Sequence, residues 1–235
     1  MKILALDSSG IVASVALLED DTLLAEYTVN YKKTHSQTLL PMLDEVAKMT
    51  ELDMTTIDAI AVAAGPGSFT GLRIGSATAK GLGLALKKPL IPVPTVDALA
   101  YNLFDTERIV CPIMDARRNQ VYTGIYCYEN HKMVVLEEQM AVSITELLDK
   151  LNQYGKPVIF LGDGVPVFRK IIEETLVPEC TFAPAHLNKQ RAAAVGALGM
   201  IYYNEGRIES AVEHAPDYLR VSQAERERAE KEAGK

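Results

Sequence analysis

Apolar and polar positions alternate in short runs from the first residue, and the runs come in threes. "KILALDSS", "IVASVALLED" and "TLLAEYTVNY" each carry the two-residue period of a β-strand. A polar break at Ser8 to Gly10 and an acidic turn at Asp20 and Asp21 separate them, which predicts an antiparallel meander. The period then changes. Leu39, Leu43, Val46 and Ala47 recur at helical spacing, with Pro41 forcing either a start near Thr38 or a bend. The apolar run "IDAIAVAAG" predicts a fourth strand, and a helix follows from near Thr70.

The same order returns further on. "RIVCPIMDARR", "NQVYTGIYCYE" and "HKMVVLEEQMAV" predict three more strands. "ITELLDKLNQY" predicts a helix, "PVIFLGDG" a strand and "VPVFRKIIEETL" a helix. An aspartate ends the first strand of each set, Asp7 and Asp115, and a Gly-x-Gly follows each fourth strand. A β-β-β-α-β-α unit occurring twice reads as an internal duplication. "NKQRAAAVGALGMIYYNEG" predicts a final helix with Asn188 as N-cap and Gly206 as its stop, packed back on the first lobe. The expected division is residues 1–103 plus 188–220 for the N-terminal lobe, 104–187 for a smaller C-terminal lobe, and 221–235 for a charged tail with too few apolar residues to bury.

Composition narrows the function classes. The chain has 235 residues, 48% of them hydrophobic, and a net charge of −7. That suits a soluble globular protein and disfavours broad attraction to nucleic acid. Ile3 to Leu6 is too short for a signal peptide's apolar region, and no apolar run approaches a membrane span, so a cytoplasmic protein with no membrane partner is expected. Cys111, Cys127 and Cys180 lack C-x-x-C spacing and read as thiols.

Candidate chemistry centres on "GPGSFTGLRIG", beginning at Gly65. Its third glycine comes one residue too late for G-x-G-x-x-G, and no Gly-Lys-Ser/Thr follows, so neither familiar phosphate loop is present. Asp7 with Ser8, and Asp115, stand where a turn residue either caps backbone N–H groups or faces a ligand. Gly71, Gly75, Ala79 and Gly83 recur every four residues and make a bare ridge along one helix face, suited to close packing on the chain's own sheet or on another helix.

Two lobes of this order resemble the actin, hexokinase and Hsp70 (ASKHA, ribonuclease H-like) superfamily, an α/β fold with a nucleotide between the lobes. "ILALDSS", "THSQTLLP", "GPGSFTGLRIG", "DARRNQVY" and "PDYLR" together resemble the TsaB family, also called YeaZ, over most of the chain. The resemblance implies a non-catalytic scaffold for a TsaD-like catalytic subunit. The assembly would include a TsaE-like ATPase and make N6-threonylcarbamoyladenosine next to the anticodon of tRNAs that read A-starting codons. It implies no cofactor on this chain, with ATP and a metal on the partner subunits. TsaD-like subunits carry H-x-x-x-H, two histidines on one helix face that can ligate a metal; His35, His131, His186 and His214 contain no pair four apart. The resemblance further implies partner-facing positions at Leu39, Leu43, Thr70, Gly71, Arg73, Ile74, Gly75, Thr78, Ala79 and Leu82, a homodimer when the chain is alone, and contact with tRNA only through the complex. Asp7, Ser8 and Asp115 are expected as a vestigial nucleotide site. The alternative is a small-molecule kinase or ATPase of the superfamily using Asp7 and Asp115. His35 reads as a polar or interface residue. Arg117 and Arg118, with Tyr122, read as a solvated turn or a phosphate contact. The alternating Tyr122, Tyr126 and Tyr128 read as sheet packing.

Overall fold

Each first strand pairs with a meander on one side and a parallel strand on the other, and this produces two sheets of the same topology. A computed structural model describes residues 1–31 and 34–220; the predicted charged tail lies outside them. In the first sheet β1 (Lys2–Asp7), β2 (Ala13–Glu19) and β3 (Thr22–Val29) form the meander, and β4 (Ala59–Gly65) and β5 (Leu90–Pro94) extend it parallel to β1 in the order β3-β2-β1-β4-β5. The second sheet uses β6 (Ile109–Asp115), β7 (Gln120–Glu129), β8 (Lys132–Ser143), β9 (Val158–Leu161) and β10 (Cys180–Phe182) in the order β8-β7-β6-β9-β10. Third, second, first, fourth, fifth is the order in both, so the duplication seen as a sequence pattern is a duplication of sheets. The fold is a mixed α/β architecture of two five-stranded sheets.

Helices cover the faces. On one side of the first sheet lie α1 (His35–Met49) and α2 (Phe69–Leu86); Leu39, Met42, Leu43 and Val46 of α1 join Leu4, Leu6, Val15, Ile60 and Val62 in one core. Pro41 stands inside α1 on its exposed side, where the missing N–H costs no buried hydrogen bond. The other face carries α3 (Thr95–Tyr101) and α6 (Ala192–Asn204), whose Ala192, Val195, Leu198 and Tyr202 pack on Ile3, Ala5 and Ala61. The predicted stop holds, since Gly206 takes φ +75° just beyond α6. The predicted start does not. The N-cap is Arg191, and Asn188 instead accepts the Gly162 N–H through its backbone oxygen in the preceding loop. In the second lobe α4 (Ile144–Tyr154) and α5 (Val165–Thr175) cover the sheet around Leu147, Leu151, Phe160, Phe168 and Ile172.

The lobes meet through a buried polar contact. The Asp97 carboxylate on α3 accepts the Tyr126 hydroxyl of β7 at 2.6 Å and the Tyr202 hydroxyl of α6 at 3.0 Å. Burial pushes the Asp97 carboxyl above the usual range, against the pull of both hydroxyls. Tyr126 is fully buried, as the alternating tyrosines of β7 lead one to expect.

Candidate functional site: the interlobe cleft and the open face of α2

The β1–β2 turn folds back onto the start of α2, and the glycines of "GPGSFTG" are what allow it. A β-carbon at Gly67 would stand 2.3 Å from Ser9 O, and one at Gly71 2.1 Å from Ser8 O. Ser68 caps α2 by accepting the Gly71 N–H, and donates its own N–H to Ser9 O at 2.7 Å. The Ser8 hydroxyl donates to Gly71 O at 2.9 Å. The Ser68 and Gly71 N–H groups at this helix start are therefore taken up by the chain itself.

This placement corrects two of the expected nucleotide-site residues. Asp7 and Ser8 are buried, and neither lines the cleft between the lobes. The Asp7 carboxylate accepts both the backbone N–H and the hydroxyl of Ser9, at 2.8 and 2.7 Å. Burial outweighs those bonds and pushes its carboxyl up to about 6. Asp115 does reach the cleft: its carboxylate accepts the Arg117 N–H at 2.8 Å, and its own N–H donates to the Asp163 carboxylate at 3.2 Å. Asp163 was missed in the sequence although it is the middle residue of Gly162-Asp163-Gly164; burial raises its carboxyl. The cleft of about 590 Å³ takes Ser9, Phe69, Met114, Asp115, Tyr122 and Asp163 among its walls. Asp7 does not line the cleft that Asp115 reaches, so these two do not form the open, facing pair that the kinase reading needs. Among the described residues no three His, Cys, Asp or Glu side chains are grouped to hold a metal ion.

The expected partner-facing positions separate into an inner and an outer set. Leu39, Leu43, Gly71, Gly75 and Ala79 are buried in the chain's own first lobe, which corrects their assignment. A β-carbon at Gly75 would meet Ser8 Oγ at 2.5 Å, so the bare ridge receives the sheet and the β1–β2 turn. Ile74, Thr78 and Leu82 are half-buried shoulders, and the Thr78 hydroxyl is spent on Ile74 O. Thr70 and Arg73 are exposed. With Ala77, Gly81, Leu84 and Ala85 they make the outward face of α2. Arg73 stacks over the Phe69 ring at 3.9 Å. His35 holds the turn in place, its Nε2–H donating to Gly10 O at 2.7 Å. Arg117 and Arg118 stand exposed on a tight left-handed turn, φ +65° and +55°.

A duplicated, two-lobed α/β protein with a glycine-rich turn packed on its own first hairpin and an exposed helical face is the class defined by this geometry. The family model described as TsaD, tRNA N6-adenosine threonylcarbamoyltransferase, matches residues 22–228. The tRNA threonylcarbamoyladenosine biosynthesis protein TsaB of Bacillus subtilis is 35% identical, with 96% of each chain covered. The Escherichia coli protein of that name is 31% identical over 94% of this chain and 95% of its own. A Pseudomonas aeruginosa structure of a protein with similarity to peptidase YeaZ superposes with a TM-score of 0.78 at 26% identity, covering 93% of this chain and 99% of that one. The chain belongs to the TsaB (YeaZ) family, within the wider TsaD-like group.

Proposed function

We propose that this chain is the scaffold subunit of a tRNA-modifying assembly: it binds a TsaD-like catalytic subunit and takes no part in the chemical step. The observation that carries this reading is the outward face of α2. Thr70, Arg73, Ala77, Gly81 and Leu84 form an exposed stripe whose first turns carry the Arg73–Tyr218 contact; further along, a β-carbon at Gly81 would meet no atom of the described residues within 4 Å. Small residues on an outer helix face let a second helix approach closely, and Leu84, 56% exposed, supplies an apolar shoulder. A TsaD-like subunit is the occupant that family membership supports, with a second copy of this chain in its place when the partner is absent.

In this reading the assembly makes N6-threonylcarbamoyladenosine beside the anticodon of tRNAs that read A-starting codons, in the cytoplasm. A TsaE-like ATPase completes it, ATP and the metal reside on partner subunits, and tRNA is met through the complex. Mass spectrometry of tRNA nucleosides from cells depleted of this protein tests it. The modified adenosine falls if the reading is right; an unchanged level in a cell with no second copy of the gene contradicts it.

A further inference from the structure

The interlobe cleft already has a peptide seated across it, the chain's own segment from Pro216 to Arg220. The Asp217 N–H donates to Ala64 O at 2.7 Å, one residue short of the end of β4 in the first lobe. The Asp217 carboxylate accepts the Gln139 side-chain N–H of β8, in the second lobe, at 2.5 Å. The Tyr218 ring lies 4.8 Å from that of Phe69, and its hydroxyl accepts the Arg73 Nε–H at 3.2 Å, both in the first lobe. Arg220 then crosses to the second lobe, donating to Ala116 O at 2.8 Å. The segment thus alternates between the two halves of the molecule. Its path also explains the first glycine of "GPGSFTG": Gly65 has φ +130°, and a β-carbon there would stand 2.1 Å from Asp217 O.

We propose that the interlobe cleft is a peptide-binding site whose ligand is this Pro216–Arg220 segment, held there to fix one lobe against the other. One main-chain hydrogen bond sets the register, and the aromatic and guanidinium side chains are read by their own contacts, as in other recognition of extended peptides. Tyr218 is still 38% exposed, so each contact is individually weak. The covalent tether compensates, because a short linker presents its ligand at an effective concentration in the millimolar range. A different ligand entering the cleft has to displace the segment. The inference is independent of which partner docks on α2.

Hydrogen exchange on three chains tests it: the full chain, one ending at Arg220 and one ending at Ala215. In the full chain and in the chain ending at Arg220 the Asp217 amide should exchange at least about tenfold more slowly than in an unstructured peptide. In the chain ending at Ala215, exchange should quicken at 64–69 and 115–120 while the strand interiors are unchanged. Added peptide Pro-Asp-Tyr-Leu-Arg at about 10 mM should slow both segments again. Arg220→Ala in the full chain should quicken 115–120 alone, and this readout serves if the short chain does not fold. Equal exchange at both segments in all three chains overturns the proposal. So does an added peptide without effect, or an Arg220→Ala chain that exchanges like the wild type.

Discussion

Gly75 and Gly81 lie six residues apart on α2, about 120° around the helix, one on its inner and one on its outer side: a β-carbon at Gly75 would press on Ser8 Oγ at 2.5 Å, while one at Gly81 would meet nothing of the described residues within 4 Å. The inner glycine belongs to the folding of the first lobe. Gly75→Leu should therefore lower the stability of the isolated chain by about 1–3 kcal/mol or more through overpacking. At this chain length each kcal/mol moves Tm by about 2–4 °C. Thermal unfolding of the isolated chain checks it, and an unchanged Tm would mean that the ridge does not carry the sheet.

Asp7 links stability to pH. Its carboxyl titrates near 6 in the folded chain, against about 3.8 when unfolded, so between those values the folded state holds the extra proton. Stability is highest below about pH 4 as far as this group is concerned, and is lost as pH rises through 6, by about 3 kcal/mol in full. Asp7→Asn should remove this slope, gaining on the wild type between pH 4.5 and pH 7.5. Urea unfolding at the two pH values checks it; a variant that loses stability relative to wild type over that range contradicts it.

Tyr126 and Tyr128 stand on the same strand with opposite expectations. The Tyr126 hydroxyl donates to Asp97 across the lobes, whereas the buried Tyr128 hydroxyl has no partner among the described residues. Tyr126→Phe should cost about 1.5–3 kcal/mol, because a buried bond to a charged group is lost. Tyr128→Phe should be neutral or slightly stabilising, because it removes an unsatisfied polar group. Denaturant midpoints of the two variants check the pair.

Much of this fold was legible because the two-residue period and the turn residues announce strands one at a time, and the repeated order announces the duplication. The short β5 and α3 were not seen: "LIPVP" and "TVDALAY" are too brief for a period to declare itself. The small-residue spacing of α2 marked a close approach correctly but carries no information about what approaches. Small residues also recur on the outer face at Ala77, Gly81 and Ala85, so spacing could not decide between the two sides. Asp7 and Asp115 occupy equivalent places in the repeat, and their fates differ through their neighbours. Ser8 and Ser9 turn inward over α2, while Arg117, Arg118 and Asn119 all take positive φ and turn outward. The cleft segment was visible as "PDYLR", yet only the folded chain shows that Gly65 makes room for it.

The scaffold reading stands or falls on the outward face of α2, and Gly81→Leu tests it most directly. Leucine is a better helix former than glycine by somewhat less than about 1 kcal/mol, so Tm of the isolated chain should hold or rise. A branched side chain where two helices nearly touch should cost about 1–3 kcal/mol of association, weakening the affinity for a TsaD-like subunit roughly 5- to 150-fold. The measurement is the dissociation constant of Gly81→Leu and wild type for that subunit by titration calorimetry. A weaker complex with an undisturbed fold is the predicted result; unchanged affinity with an undisturbed fold contradicts the docking face, and with it the account of α2.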